Sequence, residues 1–134
     1  MKYLKRYNES IESEKRFVVD KEHPSLKYGK FKLFLGDTLV SESGFTIEEP
    51  DEYFSQQYAT LYSLKTFEKF QRKGFAKYLL EQIFNYVKNE LKLNFITLNV
   101  DKKNNNAIEL YFNIGFEIFI SYDNAYTLVK PLYK

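Results

Sequence analysis

The stretch QRKGFAKYLL, residues 71–80, decides the fold, because a polar connection becomes an amphipathic helix at a single glycine, Gly74. Before it, YATLYSLKTF from Tyr58 to Phe67 is β-branched and aromatic and alternates, which predicts a strand. Residues 68–73 are a polar connection. From Gly74 onward Phe75, Ala76, Leu79, Leu80, Ile83, Phe84, Val87 and Leu91 recur at helical spacing, while Lys77, Glu81, Lys88 and Glu90 fall largely elsewhere. That pattern predicts a long helix with one face on a sheet, ending near Asn94. FITLNV, residues 95–100, is dense in β-branched residues and reads as a buried central strand. Strand, helix, strand implies a parallel crossover.

Working outward, FKLFL from Phe31, a turn at Gly36 and Asp37, and TLVSESGFTI predict a β-hairpin. EEPDEYFSQQ, broken by Pro50, is a loop. After the central strand come a DKKNNN loop, a short helix AIELYFNIGF closed by Gly115, and a terminal hairpin EIFISYDNAYTLVKPLY turning near Asp123 and Asn124. Residues 1–30 are polar and punctuated by Pro24 and Gly29; only Met1 to Tyr7 and Arg16 to Val19 read as strands there. The expected class is α/β in the α+β sense, a mixed and mainly antiparallel sheet carrying one parallel strand-helix-strand unit.

A chain of 134 residues, 44% hydrophobic and 19% aromatic, suits one core, so residues 1–134 are read as a single domain. The absence of cysteine excludes disulfides, a thiolate metal site and a cysteine nucleophile, and fits the cytoplasm. No metal site is expected. MKYLKRYNESIESEKRF at the N-terminus has basic residues with no apolar run behind them, and no segment approaches the ~18 apolar residues that span a bilayer, so neither a signal peptide nor a membrane protein is expected. A net charge of +2 is too small to suggest a nucleic-acid partner. Charge is instead local: Lys65, Lys69, Arg72, Lys73 and Lys77 gather around the turn, and Glu48, Glu49, Asp51 and Glu52 around the loop before it.

A strand leading through a polar turn to a helix aims free N–H groups and the positive end of the helix dipole at one point. Gly74 and Ala76 keep that point open, Arg72, Lys73 and Lys77 add charge, and a diphosphate is the ligand such a turn suits. The sequence has neither the GxxxxGK-Ser/Thr phosphate loop nor the GxGxxG dinucleotide fingerprint. Gln71, Gly74 and Ala76 do match the pattern Q/R-x-x-G-x-G/A, and further on LNVDKKNNNAIELYFNIGF carries Ala107, Leu110, Tyr111, Gly115 and Phe116 in an AxxLYxxxGF pattern. These two segments, in this order and on these elements, resemble the GNAT family of N-acetyltransferases. The resemblance runs from Phe31 to the end and is strongest from Ala59 to Phe116.

The resemblance implies a GNAT fold with a reduced N-terminal helical region, and acetyl-CoA as co-substrate. The strand before the turn would splay from its neighbour and offer the backbone of Leu64, Lys65 and Thr66 to the pantetheine arm. The diphosphate would rest, beside Gln71, on the N–H groups of Arg72, Lys73, Gly74, Phe75, Ala76 and Lys77. Asn104 would hold the cofactor from the far side. Tyr111, at the start of the second helix, would be the acid that protonates the departing thiolate. Thr66 stands where Val is usual and Glu68 where Pro is frequent. The implied activity is acetyl transfer to a primary amine of a small molecule, peptide or protein; the alternative is a non-catalytic coenzyme A binding or protein-interaction module. The base positions of the family fall on Thr60 and Asn99, which cannot accept a proton at neutral pH, so a water relay to Glu48, Glu49 or Asp101 is one replacement. His23 is a lone loop histidine. The family also has a strand and two helices at its front end; no amphipathic helix precedes Phe31, which leaves the acceptor site open or completed by a second copy, for instance a homodimer through the terminal strands.

Overall fold

The alternation read from Phe31 onward becomes a long hairpin. The computed structural model describes residues 14–133. Strand β2 (Tyr28–Leu35) and strand β3 (Thr38–Glu48) are joined at Gly36, whose φ of +63° is the left-handed value this turn needs. On their flank lies β1 (Lys15–Asp20), and on the other side β4 (Tyr58–Thr66). A short 3-10 turn, Glu68–Phe70, leads to helix α1 (Phe75–Asn89). Then follow β5 (Phe95–Asp101), helix α2 (Asn105–Asn113), β6 (Glu117–Ser121) and β7 (Ala125–Pro131). The strands form one sheet in the order β1-β2-β3-β4-β5-β7-β6. Every pairing is antiparallel except β4 with β5, the parallel crossover expected around α1.

Two readings shift. Helix α1 ends at Asn89 rather than near Asn94, because Lys92 takes a φ of +59° and turns the chain; the Asn94 amide donates to Gln56 Oε1 at 2.7 Å instead. The strand expected over Met1 to Tyr7 lies outside the described residues. That expected at Arg16 to Val19 is β1, which residues 21–27 alone connect to β2, with no helix between them.

One face of the sheet carries the core. Phe31, Leu33, Phe45, Ala59, Leu61, Ile96, Leu98 and Leu128 point from successive strands toward Leu79, Leu80, Ile83 and Val87 of α1. Rings of Phe17, Phe31 and Phe45 run across β1, β2 and β3, with Phe31 stacked on Phe45 at 4.2 Å between centroids. Full burial of each such side chain contributes ~1.5–3 kcal/mol. The opposite face is polar: Lys32 pairs with Asp20, and Glu42 sits between Lys30 and Lys65 at 3.7 and 3.6 Å. No described helix is long and apolar enough to cross a membrane.

The feature that shapes the site is in β4. Opposite Glu42 and Gly44 of β3, strand β4 runs from Lys65 to Tyr62 and so carries one extra residue, with Ser63 at φ +52°. Such a bulge bends and twists its strand. Parallel pairing with β5 covers only Ala59–Leu61 against Ile96–Leu98, although β4 runs on to Thr66 and β5 to Asp101. Two fully buried serines of β3 meet the disturbed ladder: Ser43 Oγ lies between the Gly44 and Tyr62 carbonyls, at 3.0 and 3.3 Å, and donates to them, and Ser41 Oγ donates to the Lys65 carbonyl at 2.9 Å.

Ile83, with no exposed surface, tests the shared core. Ile83→Ala is expected to cost ~2–5 kcal/mol in a denaturant titration. Phe112→Ala, at a 43% exposed position of α2, is expected to stay within ~0.5 kcal/mol of the parent.

Candidate active site

Where β4 leaves β5, the chain closes the turn on itself. Gln71 Nε2 donates to the Thr66 carbonyl at 2.9 Å, tying the turn to the end of β4. Arg72 and Gly74 both take left-handed backbone, φ +62° and +82°, and Gly74 is the N-cap of α1. The first helical bond runs from the Tyr78 N–H to the Gly74 carbonyl at 3.0 Å, so the N–H groups of Phe75, Ala76 and Lys77 have no partner within the helix. A Cβ on Gly74 would meet nothing within 4 Å. The glycine is therefore required by φ and not by packing, and the space in front of it is free. Arg72, Lys73 and Lys77 form no ion pair among the described residues. An anion with several acceptor oxygens fits this donor set.

In front of the turn lies a cleft of about 380 Å³. Thr66, Gln71, Arg72, Gly74, Phe75, Ala76 and Lys77 line it, as does Phe70, and across from them stand Asn106 and Leu110 of α2. The remaining expected residues, Leu64, Lys65, Lys73 and Asn104, are not in its lining. Leu64 packs into the core, and the Lys65 ammonium turns to Glu42 and the Phe67 ring on the polar face. Lys73 is exposed outside the cleft, and Asn104 caps α2 by accepting the Ala107 N–H at 3.3 Å. Phe70 and Asn106 are not among the expected site residues, and Leu110 is expected only as part of the AxxLYxxxGF pattern; Asn106 and Leu110 are four apart on α2 and so share one face, a relation that helical spacing carries.

Tyr111 occupies the seventh of nine positions in α2, not its start. It is 7% exposed, its ring lies edge-on to Phe116 at 5.5 Å between centroids, and no described group hydrogen-bonds its hydroxyl. Burial pushes its phenol up to about 12. A phenol held neutral with an uncommitted O–H is a proton donor in form, although Tyr111 is not among the lining residues of the cleft.

A second cleft, about 280 Å³, opens on the polar face at the root of the fork. Thr60 and Asn99, the two positions lacking a base, both line it, and so does Glu48. The Thr60 and Thr97 hydroxyls hydrogen-bond each other at 2.9 Å, one residue before the last strand pair. Thr127 Oγ1 donates to Asn99 Oδ1 at 2.6 Å, and Thr46 Oγ1 to Glu48 Oε2 at 2.5 Å. Of the other carboxylates, Glu49 is bound to Lys27 and Gln57, chiefly the former, which holds its pKa below the ordinary value. Asp101 Oδ1 accepts the Lys103 N–H in a separate hollow. His23 stays in an exposed turn with Ser25. Tyr53, Phe54 and Tyr122 line the second cleft, whereas Tyr126 lies under Lys102.

A sheet that forks between two parallel strands, over a basic helix N-terminus, defines a GNAT-type N-acetyltransferase fold. The profile of the FR47-like protein family matches residues 42–126, more than half of the chain, and the chain belongs to that family of the GNAT class. The fold is similar to the ribosomal-protein-S18-alanine N-acetyltransferase from Escherichia coli, with a TM-score of 0.68 at 19% identity over 92% of this chain and 84% of that one. It is also similar to the PaiA N-acetyltransferase from Thermoplasma acidophilum, a structure in complex with coenzyme A, with a TM-score of 0.66 at 18% identity over 79% of this chain and 62% of that one. In sequence the chain is 28% identical over 81 residues to the Drosophila melanogaster protein named "Probable N-acetyltransferase san". That match covers 60% of this chain and 44% of the relative's length.

Because Tyr111 is raised from 10.0 to about 12 in the folded state, folding favours its neutral form. Its stabilising share is complete below pH 10 and is lost as pH rises through about 12. Urea midpoints of the parent are expected to fall across that interval. Tyr111→Phe should fall less steeply but not stay flat, since burial and the bond to Asp51 also raise Tyr58. Identical slopes in the two proteins would remove Tyr111 from the alkaline transition.

Proposed function

We propose that this protein, as a single domain over residues 1–134, transfers the acetyl group of acetyl-CoA to a primary amine by direct attack. The observation that carries this is the fork: β4 loses β5 after Leu61, and the gap leads to a helix N-terminus where, among the described residues, three N–H groups have no partner within the helix and Arg72, Lys73 and Lys77 form no ion pair. The cofactor supplies an acyl carbonyl activated by its thioester. The backbone of Leu64, Lys65 and Thr66, without a strand partner on the β5 side, would receive the pantetheine arm. Phe75, Ala76 and Lys77 would hold the diphosphate with Arg72, Lys73 and Gly74, and Gln71 would keep the turn in shape. Asn104 would fix the α2 end of the site through its cap.

The amine would enter from the polar face, through the second cleft. It arrives as an ammonium and must lose a proton before its lone pair can attack the carbonyl. Glu48 is the carboxylate in that cleft and the destination we assign, through water, in place of the missing side chains at Thr60 and Asn99. As the carbon–sulfur bond breaks, Tyr111 would give its proton to the thiolate and recover one from solvent. The co-substrate named in the PaiA complex and the activity named for the Drosophila relative support this reading. The acceptor is an amine of a small molecule, peptide or protein. A homodimer through β6, an edge strand with exposed Ile118 and Phe119, belongs to the same proposal.

Titration calorimetry with coenzyme A separates the parts. Binding is expected in the parent and its loss in Gly74→Glu, which places a carboxylate before the free N–H groups. With an acceptor in hand, Tyr111→Phe is expected to lower kcat by about 10²-fold or more with KM little changed, within the range for a positioned proton donor. Full turnover in that variant would make Tyr111 structural.

A further inference from the structure

The second cleft has a composition that selects among amines. Its wall is aromatic: Phe54 stacks on Phe119 at 5.2 Å between centroids and lies 4.7 Å from the Tyr58 ring and 4.9 Å from Phe95. Tyr53 meets Phe119 edge-on at 5.7 Å. Tyr53, Phe119 and Tyr122 are nonetheless 54%, 39% and 51% exposed, so large apolar surface is held open around the hollow. This wall is built deliberately by Asp51, which accepts the N–H groups of Tyr53 and Phe54 at 2.9 and 3.0 Å and the Tyr58 hydroxyl at 2.5 Å. With its oxygens occupied, Asp51 organises the loop.

The floor is neutral, made of Thr60, Thr97, Asn99 and Thr127. Among the described residues the lining holds one carboxylate, Glu48, and no Lys or Arg. Resting on the acetyl-transfer reading for its location, we infer that the second cleft selects an amine bearing one positive charge on an apolar or aromatic body. A polyamine would bring several ammonium groups into a hollow with one counter-charge. A free amino acid would bring a carboxylate that no described lining residue meets with a cation, and an unpaired charge in an aromatic cleft is costly. A single ammonium gains Glu48 and the faces of the surrounding rings, and its body gains the wall.

The same chemistry is presented by a free arylalkylamine and by the N-terminus of a peptide whose first side chain is apolar. Calorimetry on the full chain with 2-phenylethylamine, a tetrapeptide amide beginning with Leu, spermidine and free phenylalanine distinguishes them. At least one of the first two is expected to bind about tenfold more tightly than spermidine and phenylalanine, and the tighter of the two names the source. Phe119→Ala and, independently, Tyr122→Ala are each expected to weaken that probe by roughly tenfold, the loss of a desolvated ring-cation or stacking contact. Equal or tighter binding of spermidine or phenylalanine, no binding of either apolar amine, or unchanged affinity in both variants would overturn the inference. Thiol release from acetyl-CoA in the same preparation reports separately on acetyl transfer. Selective amine binding without release sinks the transfer reading alone, and release with a polyamine preference sinks the selectivity alone.

Discussion

One extra residue in β4 governs the rest of the molecule. A seven-stranded sheet with continuous pairing would present no gap in its middle, and the parallel pair would run its full length. Instead Ser63 takes left-handed backbone, the ladder to β3 slips, and contact with β5 stops after three residue pairs. Both clefts follow from that divergence. The first lies where the departing strand reaches the turn and α1, and the second at the root where Thr60 and Thr97 still touch.

A bulge in the centre of a sheet costs ladder bonds, and buried backbone groups left unpaired are expensive. Ser41 and Ser43 answer that cost. They sit on the core-facing side of β3, where Phe31, Leu33 and Phe45 would make an apolar residue the natural choice; Ser41 gives its hydroxyl to the Lys65 carbonyl of β4, and Ser43 shares its own between the Gly44 carbonyl of β3 and the Tyr62 carbonyl of β4. Their small side chains also leave room for the bent strand. No described buried side-chain nitrogen or oxygen lacks a partner, the two serine hydroxyls included.

This explains why the sequence was legible in some places and not in others. Period 3.6 from Phe75 to Val87 and the run FITLNV reflect burial, which is a property of single elements, and α1 and β5 lie where they were read. The turn was legible because Gly74, at φ +82°, meets a backbone demand that favours glycine. The bulge left no such mark: Ser63 is not a glycine, and SESG in β3 looks like solvent-facing alternation although Ser41 and Ser43 are fully buried. Asn105 and Asn106 beside Asn104 hid which asparagine caps α2 and which faces the cleft. Helix α1 ended early because Lys92 adopts a conformation that its residue type does not announce.

The polar face poses a separate problem, which the loop from Glu49 to Gln57 solves. Residues 21–27 cross from β1 to β2 without a helix, so in the described chain nothing from that connection walls the acceptor side. A loop can replace a helix as a wall only if its backbone is fixed, because an unanchored loop pays conformational entropy whenever a ligand orders it. Asp51 fixes it from within through two N–H groups and one phenol, and its pKa is held low chiefly by that phenol. Phe54 then anchors it from without, against Tyr58, Phe95 and Phe119 on three different strands. The acidic cluster around this loop is therefore divided in use: Asp51 shapes the wall, Glu49 ties the loop to Lys27 and Gln57, and among the described carboxylates Glu48 alone lines the hollow. Charge counted along the sequence overstated the negative field of the site, and the aromatic residues between those charges determine what the site can hold.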